Sequence, residues 1–351
     1  MISRDRITDF LKEQAVDAAL IQKNENIRYI SGFTGEDSFL LLTPDERYLI
    51  TDSRYTEQAR EEARIFSVVN HQGKLTETVA RLISSSHARR LGIETMMTYK
   101  MYLALSELLK ETEFVFCEPD RLRRIKTEEE LALIGEACRI SDEGFRRIVP
   151  LISAGKTEAE LRTALECAML EAGSEGKSFD TIVASGGRSA YPHGTATEKV
   201  VEEGDLITFD FGAIYKGYHS DITRTVAVGQ ISDRQRFLYD AVLDCVLYIE
   251  GLMKAGLKAC EVDAKAREFL KGKELGQYFT HALGHSVGLE IHESPVLAPR
   301  DHSVLEAGMT ETVEPGVYIP GTGGVRIEDT VVLMENGISI LTKFPKTFLK
   351  V

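Results

Sequence analysis

Between residues 206 and 213 apolar and polar side chains alternate, LITFDFGA, and the alternation predicts a strand with one buried face. In that register Leu206, Thr208 and Asp210 share one face, and Ile207, Phe209 and Phe211 the other. Tyr215-Lys216-Gly217-Tyr218 predicts a tight turn, and residues 219–228 the returning strand. Such a hairpin sets Asp221 opposite Asp210, or one diagonal step away on the same face. Two carboxylates so placed repel each other unless a cation lies between them. The plainer reading is a pair of solvated surface aspartates.

The second half of the chain repeats the pattern. Laid over residues 204–212, residues 308–316 put Glu314 on Asp210, and a glycine follows two positions after each, Gly212 and Gly316. Both copies continue through a tyrosine and a turn into a strand with another carboxylate, Asp221 in one and Glu328 in the other. Upstream, Ala154-Gly155-Lys156 is echoed by Ala255-Gly256-Leu257-Lys258, and His193 and His292 follow at similar distances. The paired offsets imply an internal duplication with a pseudo-twofold axis, which gathers four carboxylates around one centre.

Outside this repeat, residues 4–14 predict an amphipathic helix, 17–22 a strand, and 38–51 a hairpin turning at Pro44-Asp45-Glu46. Helix and strand patterns then alternate to residue 118. Residues 1–122 therefore read as a small α/β domain in which Asp52, Arg54 and Tyr55 fit turn and surface roles. A basic stretch, residues 121–126, leads into the capping box of Thr127 and Glu130 and a long helix ending before Pro150. Thr157 with Glu160 opens another helix; two more are expected near residues 232–256 and 263–271. Residues 123–351 read as an α+β domain. Its helices pack on one face of a mainly antiparallel, curved sheet whose other face carries the carboxylates.

A net charge of −13 excludes nucleic acid or an anionic membrane as the main partner, since both need a basic footprint. No apolar run reaches the ~18 residues of a membrane span. Five cysteines show no CxxC spacing, and with no signal peptide in view the expected compartment is the reducing cytoplasm.

Histidine concentrates in residues 280–293, THALGHSVGLEIHE. His281 and His285, four apart, fit a metal pair on a helix, but HExxH is absent and a zincin is excluded. One imidazole and four carboxylates suit a pair of divalent ions such as Mn²⁺, Co²⁺ or Zn²⁺, whose charge nearly cancels theirs. Two such ions activate water and polarise a carbonyl, which is hydrolytic chemistry. Arg326 shares a strand face with Glu328 and leaves Asp329 behind; it either holds a substrate carboxylate or anchors a ligand carboxylate. Its bland alternative is a surface salt bridge. His193 ends a flexible loop, SGGRSAYPH, that can enter the site, and His219 alternates with Asp221.

The segments FDFGAIYKGYHSDITRT, GHSVGLEIHE, TVEPGVYIP and GVRIED resemble the metallopeptidases of the creatinase or pita-bread fold. The likeness is strongest to the Xaa-Pro dipeptidases (prolidases) and aminopeptidase P. NIRYISGFTG and TDSRY resemble that group's N-terminal domain, so the likeness spans nearly the whole chain. It implies a pita-bread catalytic domain and a dinuclear site held by Asp210, Asp221, His285, Glu314 and Glu328. By the same resemblance His193 and His292 flank the substrate carbonyl, His281 lines the pocket, and Glu314 shuttles a proton. The chain departs from the pattern at Ser286, where glycine is frequent, and at Glu311, where an apolar residue is usual.

The expected activity is cleavage of the Xaa-Pro bond, most readily in dipeptides, by a homodimer with two divalent ions per chain, Mn²⁺ first among them. Aminopeptidase P action on longer proline-containing peptides is the alternative. A metal-free peptide-binding module on the same fold is the reading from another class.

Overall fold

Four apolar residues in succession, Ala18–Ile21, form β1, and a strand with no polar face must be covered on both sides. It lies inside a six-stranded sheet with β2 (Phe39–Leu42), β3 (Arg47–Thr51), β4 (Ser67–Asn70), β5 (Arg90–Ile93) and β6 (Glu113–Phe116), ordered β4-β3-β2-β1-β5-β6. Ala19 and Ile21 pack with Ile7, Phe10 and Leu11 of helix α1 (Arg4–Glu13). Ala18 and Leu20 point the other way, into a core that holds Val79, Leu82 and Ile83. The computed structural model describes residues 3–351 and divides the chain into a first unit ending at Arg123 and a second, Arg124–Val351.

The remaining helices of the first unit are α2 (Asn24–Ser31), α3 (Thr56–Glu62), α4 (Leu75–Ser85) and α5 (Tyr99–Leu108). The expected elements leave out α2, which has eight residues, no side-chain cap, and an end at Gly32 with φ +82°. Arg54 bonds Asp52 and Asp37 while its side chain stays 63% exposed, a surface role as expected.

In the second unit α6 (Glu128–Ile148) and α7 (Glu158–Glu171) each start with the expected capping box. Their core contains Ile207, Phe209 and Phe211 of β8 (Leu206–Phe211), following β7 (Ile182–Ser185), with Phe145 stacked on Phe211 at 5.1 Å. The other face of β8 is also covered, since Thr208 is 2% exposed, and the expected half-buried strand is buried on both sides. β9 (Ile214–Tyr215) and β10 (Tyr218–His219) form the expected hairpin around Lys216 and Gly217, both at positive φ. The return strand is interrupted at Ser220 and Asp221 before β11 (Ile222–Ala227).

The second half repeats this plan with α8 (Asp233–Leu252) and α9 (Ala259–Gly272); α9 starts four residues before the expected helix. Its strands are β12 (Gly284–Ser286), β13 (Glu293–Leu297), β14 (Thr310–Val313), β15 (Gly316–Ile319), β16 (Gly323–Arg326), β17 (Asp329–Met334), β18 (Gly337–Ile340) and β19 (Leu349–Lys350). The duplication is visible in the backbone. Gly204 and Gly308 adopt φ +89° and +87°, and Gly155 and Gly256 +92° and +91°. Gly155 and Gly256 each donate to a carbonyl of the connection after their helix, Val201 and Leu305.

The sheet is not one continuous surface. It is broken into a four-stranded piece (β19-β11-β8-β7), a three-stranded piece (β14-β17-β18) and two-stranded pieces. Asp221, Glu314 and Glu328 fall in breaks between strands, and Asp210 alone lies within one. Asp329, one residue beyond Glu328, points away from it: its Oδ1 accepts from Arg224 at 2.7 Å and Thr342 at 2.6 Å.

Glu311 is fully buried with no hydrogen-bond partner on either oxygen, and burial, opposed only by Lys126, pushes its carboxyl well above the usual range. An unpaired buried polar group costs ~2 kcal/mol or more. A raised carboxyl favours the fold below the unfolded pKa of about 4.3, and that contribution is lost as pH rises towards the folded value. Glu311→Leu should therefore melt at least ~2 °C above the parent at pH 8, with the gap narrowing towards pH 5. An equal or lower melting temperature at pH 8 contradicts this.

Candidate metal centre

Every residue expected at the site lines one cavity of about 580 Å³: His193, Asp210, Asp221, His281, His285, His292, Glu314, Arg326 and Glu328. A larger cleft, about 660 Å³, at the ends of α8 and α9 has a single carboxylate, Glu274, in its lining. In the β8–β11 ladder Thr223 faces Asp210, so Asp221 is the diagonal neighbour on the same face. Asp210, Asp221 and Glu328 offer oxygens that all lie within 4.8 Å of one another. Asp210 Oδ1, Asp221 Oδ1 and Glu328 Oε1 are buried and have no hydrogen-bond partner.

His285 completes the ring. Its Nε2 lies 3.6 Å from Asp221 Oδ2 and 3.5 Å from Glu314 Oε1, and its Nδ1 faces the Ser286 carbonyl at 3.1 Å. Burial, then the neighbouring His292, lowers its pKa to about 4, so the ring is neutral. With Nδ1–H donating to the carbonyl, the Nε2 lone pair points at two carboxylates. Lone pair against carboxylate is unfavourable unless a proton or a metal cation stands between them. Burial first, then the mutual charge of Glu328, Asp210 and Glu314, pushes Asp221 well above the carboxylate range. Glu328 rises for like reasons, and burial lifts Glu314 to about 8. The donor set therefore fits divalent cations, which would replace both the missing partners and the missing charge.

Arg326 is 3% exposed, which removes the surface salt bridge as its explanation. Its Nη2 donates to Asp210 Oδ2 at 2.6 Å, Nη1 to Tyr318 Oη at 2.6 Å and Pro192 O at 3.2 Å, and Nε to Thr223 Oγ1 at 3.2 Å. Of its two expected roles, these contacts serve the anchoring of a site carboxylate. Capture of a substrate carboxylate has one unengaged N–H left to work with. The Pro192 contact also holds the loop of His193.

His281 and His285 do not share a helix. The segment runs through a bend into β12, because Gly284 must let the Thr312 carbonyl approach within 1.9 Å of where a Cβ would stand. His281 Nε2 meets Tyr318 Oη at 2.9 Å and its Nδ1 the Ala282 carbonyl at 2.7 Å. Burial, then Arg326, lowers its pKa to about 4, so a proton-ordered chain runs Arg326 to Tyr318 to His281 to Ala282. Gly316 has no room for a side chain: a Cβ would lie 2.4 Å from Tyr318 Oη and 3.0 Å from His281 Nε2. His292 packs edge-on to His285 with ring centroids 4.4 Å apart, and both His292 and His193 are exposed towards the cavity.

Sequence reasoning missed the supports. Thr223 Oγ1 donates to Glu328 Oε2 at 2.7 Å, and Thr312 Oγ1 to Glu314 Oε1 at 3.3 Å. Period 2 was the available signal, since Thr223 and Thr312 each sit two residues from a site carboxylate. Tyr318 was visible only as the tyrosine common to both repeats.

Residues 132–335 match metallopeptidase family M24, and residues 4–125 match the Creatinase/Prolidase N-terminal domain. The chain is 39% identical to the Xaa-Pro dipeptidase of Pyrococcus furiosus, over 98% of this chain and 99% of that protein. Its structure resembles an Xaa-Pro dipeptidase from Bacillus anthracis with a TM-score of 0.96, 43% identity and 99% of each chain covered. It also resembles an X-Pro aminopeptidase from Thermotoga maritima, with a TM-score of 0.89, 39% identity, and 99% and 100% covered.

Without cations the centre is a stability defect. Asp221 and Glu328 have raised folded pKa values, so their contribution is intact below about pH 4 and is lost as pH rises. Metal-free Asp221→Asn should accordingly melt above metal-free parent at pH 8, and Mn²⁺ should raise the melting temperature of the parent while leaving the variant unmoved. An equal Mn²⁺ shift in both proteins would sink the assignment of Asp221.

Proposed function

The chain belongs to metallopeptidase family M24, and from that footing we propose that it hydrolyses the Xaa-Pro bond, with Xaa-Pro dipeptides as preferred substrates. The observation that carries the reading is the neutral His285 Nε2 aimed at two carboxylates, among buried carboxylate oxygens without partners. Its closeness to a named Xaa-Pro dipeptidase, 39% identical over 98% of the chain, supplies the substrate class.

Asp210, Asp221, His285, Glu314 and Glu328 would hold a pair of divalent ions, Mn²⁺ foremost and Co²⁺ or Zn²⁺ as alternatives. With the four ligand carboxylates ionised, they and the guanidinium of Arg326 leave an excess of three negative charges, which a single dication cannot cancel. When bound, the ions supply Lewis acidity for carbonyl polarisation and for activation of water. The remaining work falls to side chains. Glu314, whose Oε1 accepts from Thr312 Oγ1 and lies 3.5 Å from His285 Nε2, would take and return the proton. His292 and His193, exposed to the cavity from two separate segments, donate to the developing oxyanion and the leaving nitrogen. Phe179, Ile182, Pro192, Ile291 and Val296 give the cavity apolar walls against which a prolyl ring can pack. Proline brings no N–H to the scissile bond, so recognition rests on that ring and on the carbonyl.

One observation favours a second reading. Arg326 is the only arginine or lysine in the lining and is already bonded, so the prolyl carboxylate of a dipeptide meets no free guanidinium. An open end would suit longer peptides, and the likeness to an X-Pro aminopeptidase points the same way.

Substrate length separates the two. With Mn²⁺ loaded, Ala-Pro should show higher kcat/KM than Ala-Pro-Ala, and chelation should abolish both activities until metal is restored. Better cleavage of the tripeptide hands the assignment to the aminopeptidase, and full activity after metal removal defeats both. His292→Ala and His193→Ala should keep their metal and lose ~10²-fold or more in kcat; metal loss in either variant would make that histidine a ligand.

A further inference from the structure

We propose that Lys126 is a positioning residue of the catalytic centre, fixing through Glu293 and Ser286 the two segments that carry His292 and His285. The inference rests on the peptidase reading, because it assigns His292 to turnover.

Lys126 immediately precedes Thr127, the capping residue of α6, and its own backbone N–H donates to Gly308 O at 2.9 Å. The residue is thus clamped at the root of the second unit. Its side chain is 1% exposed and pairs with Glu293, itself 4% exposed. Nζ donates to Glu293 Oε2 at 3.0 Å, Ser286 Oγ at 3.1 Å and Arg124 O at 3.2 Å. An ammonium has three protons, and three acceptors meet them. A buried charge so fully bonded is tolerated, and removing one member of the pair takes away the other's counter-charge.

The two side-chain acceptors are the neighbours of the site histidines. Glu293 follows His292, and Ser286 follows His285. Glu293 Oε1 accepts from the Glu290 N–H at 3.2 Å, and a Cβ on Gly288 would lie 2.6 Å from that oxygen. Gly288 in turn donates to Glu290 O at 2.9 Å and accepts from His219 N at 2.8 Å. The turn that delivers His292 is therefore folded around the Glu293 carboxylate, and Lys126 holds that carboxylate in place. On the other arm Ser286 Oγ meets Thr310 Oγ1 at 3.4 Å, and Thr310 Oγ1 donates to Val287 O at 2.5 Å. Ser286 Oγ gives Lys126 a grip on the His285 strand that a glycine there could not offer. Lys126 does not line the cavity, so it acts through these residues and not on substrate.

The bland alternative is a structural ion pair that ties down the start of α6. The two differ in what a folded variant does. In the Mn²⁺-loaded full chain, Lys126→Met and Glu293→Gln should each keep bound metal and lose at least ~10-fold in kcat for Ala-Pro, with KM within ~3-fold of the parent. Acting as one unit, the pair should be non-additive, the double variant falling within ~3-fold of the worse single one. Full kcat in either folded single variant, or losses that multiply in the double, would overturn the proposal. If Lys126→Met does not fold, Glu293→Gln alone decides on the same criterion. If the parent cleaves neither Ala-Pro nor Ala-Pro-Ala, the functional reading has failed. Hydrogen exchange then judges the positioning claim: faster exchange confined to residues 286–293 in Glu293→Gln upholds it, and unchanged or chain-wide exchange rejects it.

Discussion

Like charges held together in a low-dielectric cavity set the terms for the second unit. Asp210, Asp221 and Glu328 bring oxygens within 4.8 Å of one another, and Glu314 joins them across His285. Nothing in the cavity lining except Arg326 opposes that charge, and among the four Arg326 hydrogen-bonds Asp210 alone. Such a cluster survives only if the scaffold is rigid enough to impose it and cations are there to satisfy it. The two hydrophobic cores supply the rigidity. One packs α6 and α7 against β8 and β11; the other packs α8 and α9 against β14 and β17. Each repeat buries its helices on one side and delivers two carboxylates on the other.

Delivery follows the pleat across short breaks in the strands. Arg326 and Glu328, two residues apart, both line the cavity, while Asp329 points away to Arg224 and Thr342. Asp221, Glu314 and Glu328 themselves fall in the breaks between strands. Glycine is needed beside them for space: the Gly212 and Gly316 positions would drive a Cβ to 1.9 Å from Ser220 O and 2.4 Å from Tyr318 Oη. Threonines at 223 and 312 then orient the carboxylates by hydrogen bonds, and Tyr318 links Arg326 to His281.

The residues that gather in the cavity were legible in the sequence because the repeat doubled the signal. Asp210 and Asp221 alone left a surface reading open as the lesser alternative; Glu314 and Glu328 at matching offsets made that reading untenable. The capping boxes at Thr127 and Thr157 were legible for a different reason, being local hydrogen-bond patterns that need no tertiary context. What stayed hidden was tertiary. The helical pairing of His281 with His285 failed because Gly284 accommodates a close backbone approach from β14, which spacing alone does not reveal. The α2 helix, eight residues long and without a side-chain cap, was missed, although Ile27 and Ile30 on one face and Gly32 at its end carry a helical pattern. Lys126 gave no signal, since its partners lie ~160 residues away along the chain, and only burial with three satisfied protons distinguishes it from the other lysines.

The central claim, that this carboxylate cluster is a site for two dications, is tested most directly by anomalous diffraction at the manganese edge from crystals grown with Mn²⁺. The account predicts two anomalous peaks per chain inside the ring of Asp210, Asp221, His285, Glu314 and Glu328, with Asp221 Oδ1 and Glu328 Oε1 each facing a peak. Density for no ion there, or for ions bound only at other carboxylates, would contradict it.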